Sequence, residues 1–265
     1  MRKFFLIFSS FFLLILSCQT VPITGRQQLS IVPSDTVMSM SFTEYDDFLK
    51  KHKVITGTKD AQMVARVGRK IQHAVERYFS EHNLSDRLAG YQWEFTLVED
   101  AAVNAWCMPG GKVVVYTGIL PIADGEEGLA VVMGHEISHA VARHGDERLS
   151  QGLMAQMGGM ALSTALSQQS KETHDLFMTA FGAGAQVGVL LPYSRIQESE
   201  ADRLGLIFMA MAGYDPHEAV DFWKRMAAVK KGESPPEFLS THPADKKRIA
   251  DIEQLLPEAM GYYRK

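Results

Sequence analysis

His135-Glu136-Ile137-Ser138-His139 is a stretch in which two histidines stand four residues apart, with a glutamate beside the first. On a helix of about 3.6 residues per turn, residues four apart lie one above the other on the same face. Two imidazoles placed in this way can bind one metal ion, and Glu136 then lies near the open coordination position, where it can take a proton from water. The apolar flanks, 129–133 and 140–142, indicate a buried helix, whose polar groups need partners. The stretch therefore predicts a metal-binding helix.

A third metal ligand is predicted downstream, because a catalytic zinc usually has three protein ligands and one position for water. Glu198 and Asp202 are four residues apart and therefore share a helix face. One carboxylate can bind the metal while the other accepts the free ring N–H of a ligating histidine. Glu200, which lies between them in the sequence, is on a different face of the same helix. The alternative is an ordinary acidic helix start, since carboxylates favour the first turn.

The N-terminus has the pattern of a secretory signal. Arg2 and Lys3 precede an apolar run over 4–16, which is shorter than the about 20 residues of a membrane-spanning helix. Cys18 follows a small residue, and this junction resembles the lipobox of bacterial lipoproteins. We therefore expect a lipoprotein signal peptide in 1–17 and a lipid on Cys18, which would hold the chain at a membrane surface. A plain signal peptide is the alternative.

Composition narrows the class of protein. Without Arg2 and Lys3, the 27 basic residues fall to 25 against 31 acidic residues, a net charge of −6 that gives no indication of nucleic acid binding. The remaining length, 18–265, suits one large domain or two small ones. If Cys18 carries a lipid, Cys107 is the only other cysteine, so no intrachain disulfide is expected.

Hydrophobic periodicity predicts a mainly α fold with a small β-sheet, an α+β class. We expect an N-terminal tether and helix in 18–58 and the main domain in 59–265. Within 151–191, rich in Ala, Gly and Met, the run 176–191 is expected to form a buried or lid-like helix rather than a membrane span. Helices are predicted at 35–50, 60–79, 126–148, 199–212, 217–231 and 244–256, and strands at 93–98 and 112–117.

These motifs together resemble the HtpX/Ste24/Oma family of gluzincin metallopeptidases. Three further stretches agree with it: Asn-Ala-Trp-Cys-Met-Pro-Gly-Gly at 104–111, Tyr-Ser-Arg at 193–195 followed by 198–205, and Ser-Thr-His-Pro at 240–243 followed by Lys-Arg-Ile at 247–249. The resemblance runs from about residue 60 to residue 256. Within the family, a secretory lipoprotein without obvious spans is similar to the periplasmic LoiP and BepA type.

The resemblance implies a zincin-like domain that holds one zinc ion. It supports His135, His139 and Glu198 as metal ligands and Asp202 as the carboxylate that orients a ligating histidine. Glu136 is then the general base that activates water. His242 has three open roles: a stabiliser of the oxyanion, a fourth zinc ligand that keeps the enzyme latent, or a structural residue at a helix entry.

A substrate strand is expected to pair with an edge formed by 112–116, through the main chain of Val113, Val114 and Val115. Gly110 and Gly111 would let the substrate backbone come close, although a simple hairpin turn also explains two glycines.

The expected function is hydrolysis of unfolded or misassembled envelope proteins by a membrane-anchored zinc endopeptidase. The expected location is the periplasmic face of a bacterial outer membrane, and the expected partners are extended polypeptides and the membrane itself. Oligomeric state stays open. A chaperone-like assembly factor with latent proteolysis is the alternative, because the Met- and Ala-rich segment 153–190 can adapt to varied apolar partners.

Overall fold

The protein is described by a computed structural model that covers residues 18–167, 171, 194–229, 236–244 and 246–263. The predicted signal peptide, the predicted lid-like helix at 176–191 and the segment 230–235 lie outside the described residues. The chain divides into two compact units, 1–34 with 144–191 and 35–143 with 192–265.

The helices and strands of the described residues follow one another along the chain, with short 3-10 turns at Ser85–Leu88 and Thr117–Ile119. They are β1 (Cys18–Thr20), β2 (Gln27–Leu29), α1 (Ser34–Lys51), β3 (Val54–Ile55), α2 (Lys59–Glu81), β4 (Glu94–Val98), β5 (Ala105–Met108), β6 (Lys112–Tyr116), α3 (Leu120–Ala123), α4 (Glu126–Val141), α5 (His144–Ala165), α6 (Arg195–Met211), α7 (Glu218–Val229), α8 (Glu237–Thr241) and α9 (Lys246–Met260).

The first unit contains the short antiparallel pair of β1 and β2 and the helix α5. Arg26 binds the carboxylate of Glu147 through two hydrogen bonds of 2.8 Å, and the backbone N–H of Ile31 donates to the Ser150 hydroxyl at 3.0 Å. These bonds fix the residues on both sides of β2 against the first turns of α5. Cys18, the predicted lipid site, is the first residue of β1.

The second unit is built on a four-stranded sheet in the order β3-β4-β6-β5. β4 and β6 are parallel, whereas β3 and β5 pair antiparallel with their neighbours. Helix α2 packs on β4, helix α4 packs on β5, and α6 packs along α4. The predicted mainly α fold with a small sheet is therefore confirmed.

A glycine pair sets the distance between α4 and α6. A Cβ atom on Gly134 would lie 3.1 Å from the carbonyl oxygen of Gly205, and one on Gly205 would lie 3.0 Å from the backbone of Gly134. Only glycine fits such a close backbone approach without displacing one helix. The two helices therefore meet one residue before His135 and three residues after Asp202, which brings the two motifs together.

The predicted helix over 126–148 is wrong at its C-terminal end. Helix α4 stops at Val141, and Arg143 takes a left-handed backbone conformation with φ of 60° before α5 begins. A non-glycine residue in this conformation ends a helix, because the carbonyl groups no longer align with later N–H groups. The helical pattern of the sequence continued across this break because a second helix begins at His144, directly after it.

Candidate active site

Helix α4 carries His135, Glu136 and His139 in its buried C-terminal half. Every residue from Gly128 to Val141 is buried, so the polar groups of the motif depend on partners from other elements. The Nε2 atoms of His135 and His139 lie 3.1 Å apart and point toward the same place. The four-residue spacing has thus placed both imidazoles on one face of the helix, as the motif predicts.

Helix α6 brings the acidic pair to these histidines. A capping box, in which Ser194 and Gln197 satisfy each other's backbone N–H groups, starts the helix just before Glu198. The Oε1 atom of Glu198 lies 3.3 Å from the Nε2 atom of His139, and its Oε2 atom lies 3.5 Å from the Nε2 atom of His135. Glu198 therefore faces the ring nitrogens that the two histidines share.

Asp202 lies one turn further along α6 and contacts the opposite side of the His135 ring. Its Oδ1 atom is 3.0 Å from the Nδ1 atom of His135. A carboxylate at this nitrogen fixes the tautomer and leaves Nε2 free as a metal ligand. The structure thus gives the two carboxylates, which the sequence left interchangeable, different neighbours.

His242 follows α8 and lies against the same cluster. Its Nδ1 atom is 2.9 Å from the Oε1 atom of Glu198 and 3.1 Å from the Nε2 atom of His135. Its Nε2 atom is 3.4 Å from the Oε1 atom of Glu136. His242 therefore faces both a predicted metal ligand and the predicted base.

These four side chains fit a zinc ion. One ligand atom from each of His135, His139, Glu198 and His242 lies within 4.8 Å of the others, and all four residues are buried. A tetrahedron with bonds of about 2.0 Å has edges of about 3.3 Å, close to the separations observed here. Three histidines and a glutamate are also a donor set that zinc accepts.

Burial and charge together shape the ionisation of the site. Burial would lower the pKa of His135, but its hydrogen bonds to Asp202 and Glu198 outweigh this and raise the pKa to about 9. Burial also favours a neutral Glu198 and Asp202. Contacts with His135, and with Arg248 in the case of Asp202, nevertheless lower the pKa of both carboxyl groups. Both acids are therefore held ionised beside the histidines.

Glu136 differs from the other acidic residues of the site. Its burial raises the pKa of its carboxyl group, against the opposing effect of His242 and His135. Among the residues that the structure describes, its Oε1 atom has no hydrogen-bond partner, as is also true of the Oε2 atom of Glu198. A buried carboxyl oxygen without a hydrogen bond is costly, and a raised pKa is suited to accepting and returning protons.

The sequence placed Arg248 in one of the stretches that carry the resemblance but gave it no role in the site. Its side chain on α9 is buried and forms hydrogen bonds of 2.9 and 2.7 Å with the two oxygens of Asp202. The same guanidinium lies 2.9 Å from the Oε2 atom of Glu198 and stacks on Trp223, with its carbon atom 3.6 Å from the ring centroid. The available signal was an arginine six residues after His242, but an arginine near a helix start is common on protein surfaces.

The predicted substrate edge at 112–116 is wrong. Strand β6 lies between β4 and β5, so the main chain of Val113, Val114 and Val115 is already paired on both sides. A strand of five buried residues looks the same in sequence whether it is central or at an edge. Within the described part of the chain, the edge next to α4 is β5 instead.

Gly110 and Gly111 belong to the turn between β5 and β6. Both are buried and have positive φ values of 90° and 87°. Added Cβ atoms would lie 2.4 Å from the ring of Phe42 and 2.6 Å from the ring of Trp93. The glycines therefore allow a tight hairpin to pack under aromatic rings, whereas the approach of a substrate backbone stays a prediction.

Comparisons with known proteins agree with this geometry. The family model described as Peptidase family M48 matches residues 65–256. A mitochondrial metalloendopeptidase OMA1 from Schizosaccharomyces pombe is 34% identical over 240 residues, covering 90% of this chain and 66% of the relative. The human mitochondrial metalloendopeptidase OMA1 is 30% identical over 269 residues, covering 97% of this chain and 50% of the relative. The chain thus spans between half and two thirds of the length of these two relatives.

A beta-barrel assembly-enhancing protease from Yersinia pestis is also similar, at 32% identity over 163 residues, covering 60% of this chain and 33% of the relative. The similar proteins thus include both OMA1 and beta-barrel assembly-enhancing proteases, so the predicted closer similarity to the BepA type is not confirmed. The predicted location at a bacterial outer membrane is wrong on these matches, because the OMA1 relatives are named as mitochondrial. Leader sequences of different compartments share a basic start and an apolar or amphipathic run, which limits what the N-terminus can indicate.

Proposed function

This chain belongs to peptidase family M48, and on that premise we propose that it is a zinc endopeptidase that cleaves unfolded or misassembled polypeptides. The zinc metallopeptidase class and the single zinc ion predicted from the sequence agree with the family and with the buried cluster. One observation carries the proposal: two helices and the segment after α8 bring ligand atoms of His135, His139, Glu198 and His242 within 4.8 Å of one another.

The roles of the residues follow from where they lie. His135, His139 and Glu198 would hold the ion, and Asp202 would keep His135 in the tautomer that offers Nε2. When bound, zinc polarises the carbonyl of a peptide bond and makes a water molecule more acidic. Glu136, one residue from a ligand but outside the ligand cluster, would hold the proton taken from that water on its carboxylate and transfer it to the departing amine.

Strand β5 is the element that we propose for substrate docking. It is an edge of the sheet, and α4 packs against it. Burial, and after it the charge of Glu136, raises the pKa of the Cys107 thiol on this strand, and α4 is the helix that carries Glu136. An extended peptide that adds to this edge uses main-chain hydrogen bonds and needs no particular sequence. Such docking favours chains that have lost their fold.

The test of this function compares one protein substrate in its native state and in its unfolded state. We expect the zinc-loaded chain to cleave the unfolded form at internal bonds and to leave the native form intact. Equal cleavage of both forms, or release of terminal residues alone, would contradict the proposal. The chaperone-like alternative requires the Glu136→Gln variant to suppress aggregation of the same unfolded substrate as well as the unmodified chain does.

His242 is proposed to act as a fourth ligand that keeps the site latent. Its Nδ1 atom lies 2.9 Å from the Oε1 atom of Glu198, and a closed set of four ligands leaves no position for water. His242→Ala is expected to raise basal proteolysis of unfolded casein, with no gain in His217→Ala, which alters an exposed histidine. A loss of turnover by about 10²–10³-fold at unchanged zinc content would instead assign His242 to the oxyanion. Unchanged turnover would make it structural.

Lipid attachment at Cys18 stays a prediction, and it is the proposed contact with a membrane. Among the described residues, no helix combines the length and the apolar character that a membrane crossing requires. In cells supplied with a labelled fatty acid, the full chain is expected to take up label and Cys18→Ser to take up none, because the thiol is the acylated group. Equal labelling of both would refute acylation at this residue.

A further inference from the structure

We propose that Arg248 is a positioning residue whose guanidinium fixes three of the four side chains around the metal site. It reaches Glu198 directly, and it reaches His242 through the carbonyl group of Pro243. It contacts His135 both directly, with its Nη2 atom 3.3 Å from the Nδ1 atom of His135, and through Asp202. The proposal rests on the proposed zinc site and extends it to a residue outside the ligand set.

The first contact determines which oxygen of Glu198 faces the site. The Nη1 atom of Arg248 lies 2.9 Å from the Oε2 atom of Glu198, an ion pair that lacks hydrogen-bond geometry. The other oxygen, Oε1, is the one that lies 3.3 Å from His139 and 2.9 Å from His242. The positive guanidinium attracts Oε2 to its own side, which leaves Oε1 directed toward His139 and His242. Arg248 therefore favours Glu198 as a ligand through a single oxygen.

The second contact holds the carboxylate that orients His135. Arg248 donates two hydrogen bonds, of 2.9 and 2.7 Å, to the two oxygens of Asp202. Asp202 in turn lies 3.0 Å from the Nδ1 atom of His135. Two buried carboxylates side by side repel each other, and a cation between them offsets this repulsion. The planar guanidinium group has five N–H donors and can bind both carboxylates at once.

The third contact links Arg248 to the segment that carries His242. The Nη1 atom of Arg248 lies 3.3 Å from the carbonyl oxygen of Pro243, the residue after His242. The guanidinium cannot swing away to one partner alone, because it is stacked 3.6 Å above Trp223 on α7. Its place is thus fixed by four elements: α6, α7, α9 and the segment after α8.

Arg203 offers a matched control. It lies on α6 and forms a two-pronged pair with Glu258 on α9, at 2.8 and 2.7 Å. This pair joins the same two helices as Arg248 and Asp202 do, and it is half-exposed and outside the metal cluster. Arg203→Gln therefore removes a comparable link between the helices without touching the site.

The experiment measures the zinc dissociation constant of the full chain by competition with a chromogenic chelator. Arg248→Gln is expected to weaken zinc binding by about 10–100-fold, as loss of residues that hold a ligand in place typically does. Arg203→Gln is expected to bind zinc as the unmodified chain does. Arg248→Lys keeps the charge but lacks the planar guanidinium group, so its zinc affinity should lie between those of Arg248→Gln and the unmodified chain. It serves as the test if Arg248→Gln does not fold.

The visible spectrum of the cobalt-substituted protein supplies a second readout, because its intensity and shape follow the geometry of the ligands. The spectrum should change in Arg248→Gln and stay the same in Arg203→Gln. Unaltered zinc affinity in Arg248→Gln, equal losses in both variants, or a lysine variant indistinguishable from the unmodified chain would overturn the positioning role. If the unmodified chain itself binds no zinc, the proposed function fails, whatever the variants do.

Discussion

Replacement of Glu136 by glutamine is expected to lower peptide-bond hydrolysis by about 10²–10⁴-fold, the range that a general base typically contributes. The variant should keep its zinc, because Glu136 lies outside the cluster of ligand atoms. Glutamine has nearly the same shape as glutamate, but its amide cannot take up the proton of the attacking water. The measurement is the rate of cleavage of an unfolded protein at equal zinc content.

Glu127→Gln is the matched control for this prediction. Glu127 lies in the first turn of the same helix, is exposed, and accepts a hydrogen bond of 2.8 Å from the backbone of Asp215. Glu127→Gln should cleave the substrate at the rate of the unmodified chain, although it loses one negative charge, as Glu136→Gln does. Turnover of Glu136→Gln close to that of the unmodified chain would rule out the proposed role of Glu136.

Loss of Glu198 is expected to have the other large effect. Glu198→Ala removes the proposed third ligand and should weaken zinc binding by more than the about 10–100-fold that residues behind a ligand contribute. The change also leaves Arg248 with one carboxylate partner fewer in a buried place, which favours rearrangement of the cluster. Cleavage should fall with zinc content, as determined by metal analysis after dialysis.

The control is Glu200→Gln, two residues along the same helix. Glu200 is buried but lies outside the metal cluster, so its replacement should leave zinc content unchanged. The reverse pattern, with zinc retained in Glu198→Ala and lost in Glu200→Gln, would mean that the third ligand is a different carboxylate.

The sequence could predict the features that depend on spacing within one helix. Positions four apart share a face on any helix, so the approach of His135 to His139 needed no knowledge of the fold. The acidic pair Glu198 and Asp202 is recognisable for the same reason. Which carboxylate faces the shared nitrogens depends on how α4 crosses α6, and that crossing is set by the contact of Gly134 with Gly205.

Features that depend on contacts between distant segments could not be predicted in this way. The strand order, which makes β6 central and β5 an edge, has no local signature, because a buried strand is apolar in either position. Arg248 is separated from Asp202 by 46 residues, and its role arises only when α9 packs on α6. The break at Arg143 is a single backbone conformation that ordinary helix propensity does not reveal.

The most direct test of the account is a crystal structure of the full chain with diffraction recorded on both sides of the zinc absorption edge. We predict one anomalous peak among the Nε2 atoms of His135 and His139 and the Oε1 atom of Glu198, with the Nδ1 atom of His242 as the fourth neighbour. An anomalous peak at any other position, or none from protein prepared with equimolar zinc, would contradict the account.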